Sequence, residues 1–226
     1  MASVAPELLT RSTEDYLKAI YRLAPGPEPA STNDIAGRLG LSAPSVSGMI
    51  KRLSDQGLIE HAPYHGVVLT DAGRRAALRV VRRHRLIEAY LVGKLGYSWD
   101  TVHDEAERLE HAVSDLLVER MARALGHPQF DPHGDPIPAP DGTIDEARYT
   151  PLTEVPDGDT VEIRRVDTSQ GDRLRYLEHR GLVPGASIRV LEHHPFGGPV
   201  IVAVGDRQHS IGTELARQIL CNPVAA

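Results

Sequence analysis

The sequence predicts an α+β protein in three parts: a winged helix-turn-helix, then a domain of long helices, then a small β-barrel. Three observations predict it. Two short helical segments joined by a tight turn precede two short strand segments around Pro-Tyr-His-Gly. Two long stretches of helical periodicity follow, each closed by a glycine. Past a Pro-, Gly- and Asp-rich stretch, the texture changes to short β-type segments. The boundaries are 1–72, 73–148 with a Pro-rich linker from 126, and 149–226.

Residues 12–24 read as a helix, capped by Ser12 or Thr13, with Tyr16, Leu17, Ile20 and Leu23 as its apolar stripe. NDIAGRLG is a short second helix capped by Thr32 or Asn33. Ser42 caps the third, with Pro44 in its first turn, where a missing N–H costs nothing. Val46, Ile50 and Leu53 point inward, and Gly57 ends it. LIEHAPYHGVVLT forms the two wing strands. Long helices are expected from Asp71 to Leu95, closed by Gly96, and from Ser98 to Leu125, closed by Gly126. HPQFDPHGDPIPAPDGTID is a linker or an irregular packed loop. In the last part DTVEIRRV, ASIRVLEHH, PVIVAVG and QHSIGT read as strands, and QGDRLRYLEHRG and ELARQIL as helices.

Composition narrows the function. No apolar run approaches the ~18 residues needed to cross a bilayer, so no membrane partner is expected. The N-terminus lacks the basic-then-apolar pattern of a secretion signal. One cysteine, Cys221, cannot form an intrachain disulfide, which points to the cytoplasm. The net charge of -6 is unusual for a chain that approaches phosphate. Basic charge is nevertheless concentrated between Asp71 and Arg85, in Arg74, Arg75, Arg79, Arg82, Arg83 and Arg85. Acids gather from Asp100 to Glu110, with histidines among them. Either run by itself is ordinarily a solvated helix face.

A winged helix-turn-helix offers the first turns of its second helix to base edges in the major groove. Here those residues are Ser42, Pro44, Ser45, Ser47 and Gly48, with Lys51 and Arg52 one turn on and suited to phosphates. Small side chains let the helix sit deep. The wing residues His61, Tyr64 and His65 are placed to reach backbone or minor groove. Double-stranded operator DNA is the expected partner.

His103, Glu107, Glu110 and His111 follow helical spacing, as do His84 and Glu88. Each set shares one helix face. Val102, Ala106, Leu109 and Val113 flank the first set, so part of it faces the interior, where carboxylates without a cation are costly. Asp15 on the first helix is a further donor. Nitrogen and oxygen donors from three helices therefore predict a divalent metal site.

With these residues in view, the chain resembles the diphtheria toxin repressor family of iron- and manganese-dependent transcriptional regulators. TEDYLKAIY, LSAPSVSGMIKRL, RRHRLIE, VHDEAERLEH and DPHGDPIP carry the resemblance, which spans nearly the whole chain. It implies a homodimer formed by the helical domain and a C-terminal SH3-like domain, here of FeoA type in LRYLEHRGLVPGASIRVLEHHPFGGPV. It also implies a primary metal site of Asp15, Glu107, Glu110 and His111. The implied ancillary site is His84, Glu88 and His103, completed in some members by the C-terminal domain, with Gln170 or Asp172 as candidates. Iron-responsive members carry Met at the place of Asp15 and Cys at that of Glu107. Carboxylates there favour Mn2+, with Fe2+ as the alternative. Lys18 stands where one manganese pattern has a Glu that helps bind a second ion, so any second ion is expected in the ancillary site.

The expected function is repression of metal-uptake genes, with activation of efflux genes also open. A carboxylate-bridged dimetal enzyme would favour paired Glu-x-x-His motifs, which the long helices lack. A regulator of the same fold that answers an organic ligand would leave the His/Glu convergence unexplained. No enzyme activity and no small organic substrate are expected.

Overall fold

A computed structural model describes residues 9–24, 28–62, 66–145 and 147–224. The chain divides into two compact units, Met1–Arg83 with Pro138–Thr143, and His84–Ile137 with Ile144–Ala226.

The first unit opens with α1 (Arg11–Leu23), which starts a residue earlier than expected. Thr10, not Ser12 or Thr13, is its cap, accepting from the Thr13 N–H at 3.3 Å. Ser31 rather than Thr32 or Asn33 caps α2 (Thr32–Leu39), accepting from Asp34 N–H and donating to the Asp34 carboxylate. Gly40 closes α2 in the left-handed region. Ser42 caps α3 (Ala43–Asp55) as expected, and Val46, Ile50 and Leu53 are buried. The strands β1 (Ile59–Ala62) and β2 (Gly66–Leu69) pair antiparallel. Their connection falls outside the described residues, and Tyr64 and His65 with it; His61 is exposed on β1.

α4 (Asp71–Leu95) has the expected bounds. Its start is fixed by Thr70, whose hydroxyl donates to Gly57 O at 2.8 Å and accepts from Gly73 N–H at 3.1 Å. A Cβ on Gly73 would lie 1.9 Å from Leu58 O, so only glycine lets the helix pass this close to the wing. Arg74 lies over the Tyr21 ring, and Arg83 donates to Glu14 at 2.6 Å. The first half of α4 therefore packs as part of the N-terminal unit, and the two compact units divide at 83/84.

In the second unit the helix expected from Ser98 to Leu125 is two helices, α5 (Val102–Leu109) and α6 (Asp115–Ala124). Ser114 ends the run by capping α6, accepting from Leu117 N–H at 3.3 Å. Ile87, Leu91, Val102 and Ala106 form one apolar cluster and Leu86, Val118, Ala122 and Ile137 another. Each Leu, Ile or Val among them contributes about 1.5–3 kcal/mol when removed from water.

The C-terminal β-domain comprises β3 (Thr150–Pro151), a 3-10 turn, β4 (Thr160–Val166), α7 (Gly171–Glu178), β5 (Ser187–His193), β6 (Val200–Val204), β7 (Arg207–Ile211), α8 (Thr213–Ala216) and β8 (Ile219–Pro223). Its sheet order is β3-β8-β4-β5-β6-β7, all antiparallel, with β3 and β7 at the edges. ELARQIL is not one helix: its second half opens β8, which pairs with β3 and β4. Buried residues alternate along the strands, and a bulge between Ile163 and Arg165 restores Val166 to the interior. Cys221 lies in this core, where burial pushes its thiol up to about 12. It is inert there rather than a ligand.

Candidate metal centre and DNA-binding face

On α3, Ser42, Pro44, Ser45, Ser47, Gly48, Lys51 and Arg52 are all exposed, while the three inward residues are buried. The helix is thus packed on one side and bare on the other. Nothing lies within 4 Å of a Cβ built on Gly48. Ser47 returns its hydroxyl to Ala43 O, which shortens its reach.

The arginine run of α4 is less available than its sequence implies. Arg83 is held by Glu14, and Arg82 donates to Pro138 O at 2.7 Å. Arg85 is buried and donates to Pro136 O and Asp135. Arg75 and Arg79 remain exposed.

The metal-type residues of the second unit converge on His84, which is 1% exposed. α4 carries His84 and Glu88 one turn apart, and α5 with the turn after it carries His103, Glu107, Glu110 and His111. His84 Nδ1 is 2.6 Å from Glu110 Oε2 and 3.8 Å from Glu107 Oε1. Its Nε2 is 3.0 Å from Glu88 Oε1, and His103 Nδ1 is also 3.0 Å from that oxygen. Glu110 Oε1 is 3.2 Å from His111 Nε2. Two triplets follow, His84–Glu88–His103 and His84–Glu107–Glu110, each with donor atoms within 4.8 Å of one another. Asp15 belongs to the N-terminal unit, half-buried on α1.

A third triplet was not foreseen. The stretch read as a linker folds back so that buried Asp131 and His133 join Glu88. His133 Nδ1 is 3.7 Å from Glu88 Oε2. Asp131 accepts from the backbone N–H groups of His133 and Asp135 at 2.8 and 2.9 Å, a tight polar turn. Gly134 has φ +85°, and a Cβ there would meet Arg164 O at 1.9 Å, so the loop presses directly on β4. The signal in the sequence was DPHGD itself, a His between two Asp among turn-forming residues. Among the described residues, Asp172 joins none of these His/Cys/Asp/Glu triplets, and Gln170, an amide, is not of that donor class. Both are exposed, and Asp172 pairs with Arg175, whose other nitrogen binds Asp100 at 2.6 Å. Asp131 and His133 stand beside Glu88.

The electrostatics call for a cation. Burial pushes the Glu88 carboxyl up, but His84, His103 and His133 outweigh it and hold it well below the usual range. Burial pushes Asp131 up to about 7, with the nearby Asp135 and Glu88 charges adding to it. Burial alone would lower His133, yet its bond to Glu88 and the Glu88 and Asp131 charges bring it up to about 9. Without a metal the cluster must hold protons to offset its carboxylates. With one, oxygen and imidazole donors already stand close enough to ligate, and the set fits a hard divalent ion.

An exposed recognition helix in one unit and a buried cation-accepting cluster in the other define a metal-dependent, DNA-binding transcriptional regulator. Family models match along the chain: the iron dependent repressor N-terminal DNA binding domain at residues 8–67, its metal binding and dimerisation domain at 70–139, and the FeoA domain at 150–223. The chain belongs to the diphtheria toxin repressor family of metal-dependent repressors. It is 35% identical to the iron-dependent repressor IdeR of Mycobacterium tuberculosis, over 93% of this chain and 96% of that one. It is 30% identical to the diphtheria toxin repressor of Corynebacterium diphtheriae, over 91% and 98%. Among solved structures, a manganese-dependent transcriptional repressor in complex with manganese has a TM-score of 0.88 at 42% identity, covering 94% of this chain and all of that one. These relatives are repressors rather than enzymes, and no described helix is long and apolar enough to cross a membrane.

Proposed function

We propose that this chain is a homodimeric, manganese-responsive repressor that silences metal-uptake genes in the cytoplasm when Mn2+ is plentiful. The observation that carries the reading is the donor set: buried carboxylates and imidazoles gather around His84 and Glu88, with no sulfur among them. Hard oxygen donors suit Mn2+, and imidazole accepts it.

Glu107, Glu110 and His111 would hold one ion, with Asp15 as the ligand contributed by α1. Glu88 would serve a second, with His84 and His103 on one side of its carboxylate or Asp131 and His133 on the other. A bound cation supplies positive charge that neutralises the buried acids. The chain's own groups do the rest. Asp15 precedes the DNA-binding helices in sequence, so its engagement biases the arrangement in which the two α3 helices of a dimer meet two half-sites. Ser42, Pro44, Ser45, Ser47 and Gly48 then face bases, and Lys51 and Arg52 face phosphates. By linkage, DNA raises metal affinity by the same factor.

Iron is the second reading, favoured by the 35% identity to an iron-dependent repressor. The test is operator binding by the full chain under titration with Mn2+ and, anaerobically, Fe2+, with Glu107→Ala in parallel. Tight binding switched on by Mn2+ and lost in Glu107→Ala is the expected result. Activation by Fe2+ alone would replace manganese with iron, and indifference to every divalent metal would overturn the reading.

A further inference from the structure

Trp99 is the only tryptophan of the chain, and the function proposed above makes no use of it. It lies just before α5 and is 7% exposed. Its indole stacks on the His133 imidazole, with ring centroids 5.7 Å apart and planes 22° from parallel. Its carbonyl oxygen accepts from His133 Nε2 at 2.8 Å. Trp99 also belongs to the apolar core of the β-domain, with Leu152, Leu174 and Leu177. The next residue, Asp100, accepts from Arg175 of α7, and its carbonyl packs against Gly171.

A carbonyl only accepts, so Nε2 of His133 keeps its hydrogen in either charge state. The neutral ring then has its lone pair on Nδ1, the atom that faces Glu88. Ligating histidines ordinarily give their other N–H to an oxygen, which fixes tautomer and ring orientation. Here that oxygen is a main-chain carbonyl, and the same residue's indole sets the ring plane.

We propose that Trp99 is the positioning residue for His133 in the Glu88–Asp131–His133 metal group. The β-domain thereby supports metal retention by holding Trp99. The inference rests on reading that triplet as a metal site.

The test is Mn2+ titration of the full chain, followed by calorimetry and by tryptophan emission, in wild type, His133→Ala, Trp99→Phe and Trp99→Leu. Two ions per protomer are expected in wild type, and binding of one should change the emission. His133→Ala should lose that ion and that change while keeping its fluorescence. Trp99→Phe, which retains a stacking ring and the carbonyl, should keep the ion. Trp99→Leu should weaken it about ten-fold or more and leave the other ion unchanged. A merely structural role would weaken both ions alike or spare both, and either outcome overturns the proposal. If Trp99→Leu does not fold, wild type and His133→Ala decide: emission that ignores a second ion held by His133 overturns it. A single ion indifferent to His133→Ala would sink the metal reading of the triplet, and this inference with it.

Discussion

His84 Nδ1 stands 2.6 Å from Glu110 Oε2, while the opposite edge of the same ring faces Glu88. One imidazole therefore touches a carboxylate of each candidate site. As a ligand through Nε2, His84 has Nδ1–H to donate to Glu110, which orients that carboxylate for its own ion. With the second ion on the His84–His103 side of Glu88, His84→Ala should weaken both ions, each by about 10–100-fold, whereas an ion on the His133 side should be spared. His103→Ala should weaken only the one beside Glu88. Calorimetric Mn2+ titration of the two variants separates the cases. Equal effects from both would mean that the sites are not linked through His84.

The protons held by the cluster make a prediction about pH. His133 is raised from 6.5 to about 9, and Asp131 from 3.8 to about 7. For each group the folded state binds its proton more tightly than the unfolded chain does. The stability this lends is full below the unfolded value and is lost as pH rises through the folded one. Metal-free protein should thus lose stability between about pH 4 and 7 through Asp131, and between 6.5 and 9 through His133. Calorimetric unfolding of chelator-treated protein should show a falling Tm across the upper window, flattened in His133→Ala. Ligation needs both groups deprotonated, so Mn2+ binding near neutral pH should release protons, visible as a dependence of binding heat on buffer ionisation enthalpy. Binding without proton release would place the ion elsewhere.

On the recognition helix, stability and function should move in opposite directions at one residue. Gly48 sits in mid-helix with open space where a Cβ would go. Gly48→Ala should stabilise the fold by about 0.5–1 kcal/mol and still weaken operator binding, because the added methyl stands on the face offered to bases. Lys51→Ala should lower affinity evenly across sequences and reduce the salt slope by about one. Fluorescence anisotropy on specific and scrambled duplexes over a range of salt checks both. Unchanged affinity in Gly48→Ala would move the base contacts off this face.

The first unit was legible because its signals are local: Ser42 caps, Pro44 opens, and Val46, Ile50 and Leu53 repeat at helical spacing. The break after Leu109 was not, because Leu109, Val113 and Leu117 keep that spacing across it, and Ser114 inside an apolar run does not announce a cap. β8 was read as helix for a similar reason. Leu215 and Ile219 are helically spaced, and only pairing with β3 and β4 makes the second half a strand. Helical spacing made His84 and Glu88 legible as one face and His103 as part of another, and only the family resemblance joined the three. Asp131 and His133 lie in a loop, where no period reports direction, and only the chain's return brings them to Glu88.

The last prediction concerns the second copy that two half-sites require. Leu95, Leu116 and Leu117 are 59%, 61% and 42% exposed, all within the segment matched by the metal binding and dimerisation domain. Leu116 and Leu117 are adjacent in the first turn of α6, and neighbouring exposed leucines are where a partner copy would cover apolar surface. A stable homodimer buries about 800 Å² per partner, and a charge placed in such a patch stays desolvated and unpaired. Leu116→Arg should therefore sediment as a monomer at micromolar concentration, yet bind Mn2+ with its cluster affinity unchanged. Operator affinity should fall at least about ten-fold, because one recognition helix cannot span half-sites about 34 Å apart. Sedimentation velocity and anisotropy on the same sample read both effects. A variant that remains dimeric would place the interface on another face, and a monomer that retains full operator affinity would show that DNA itself assembles the pair.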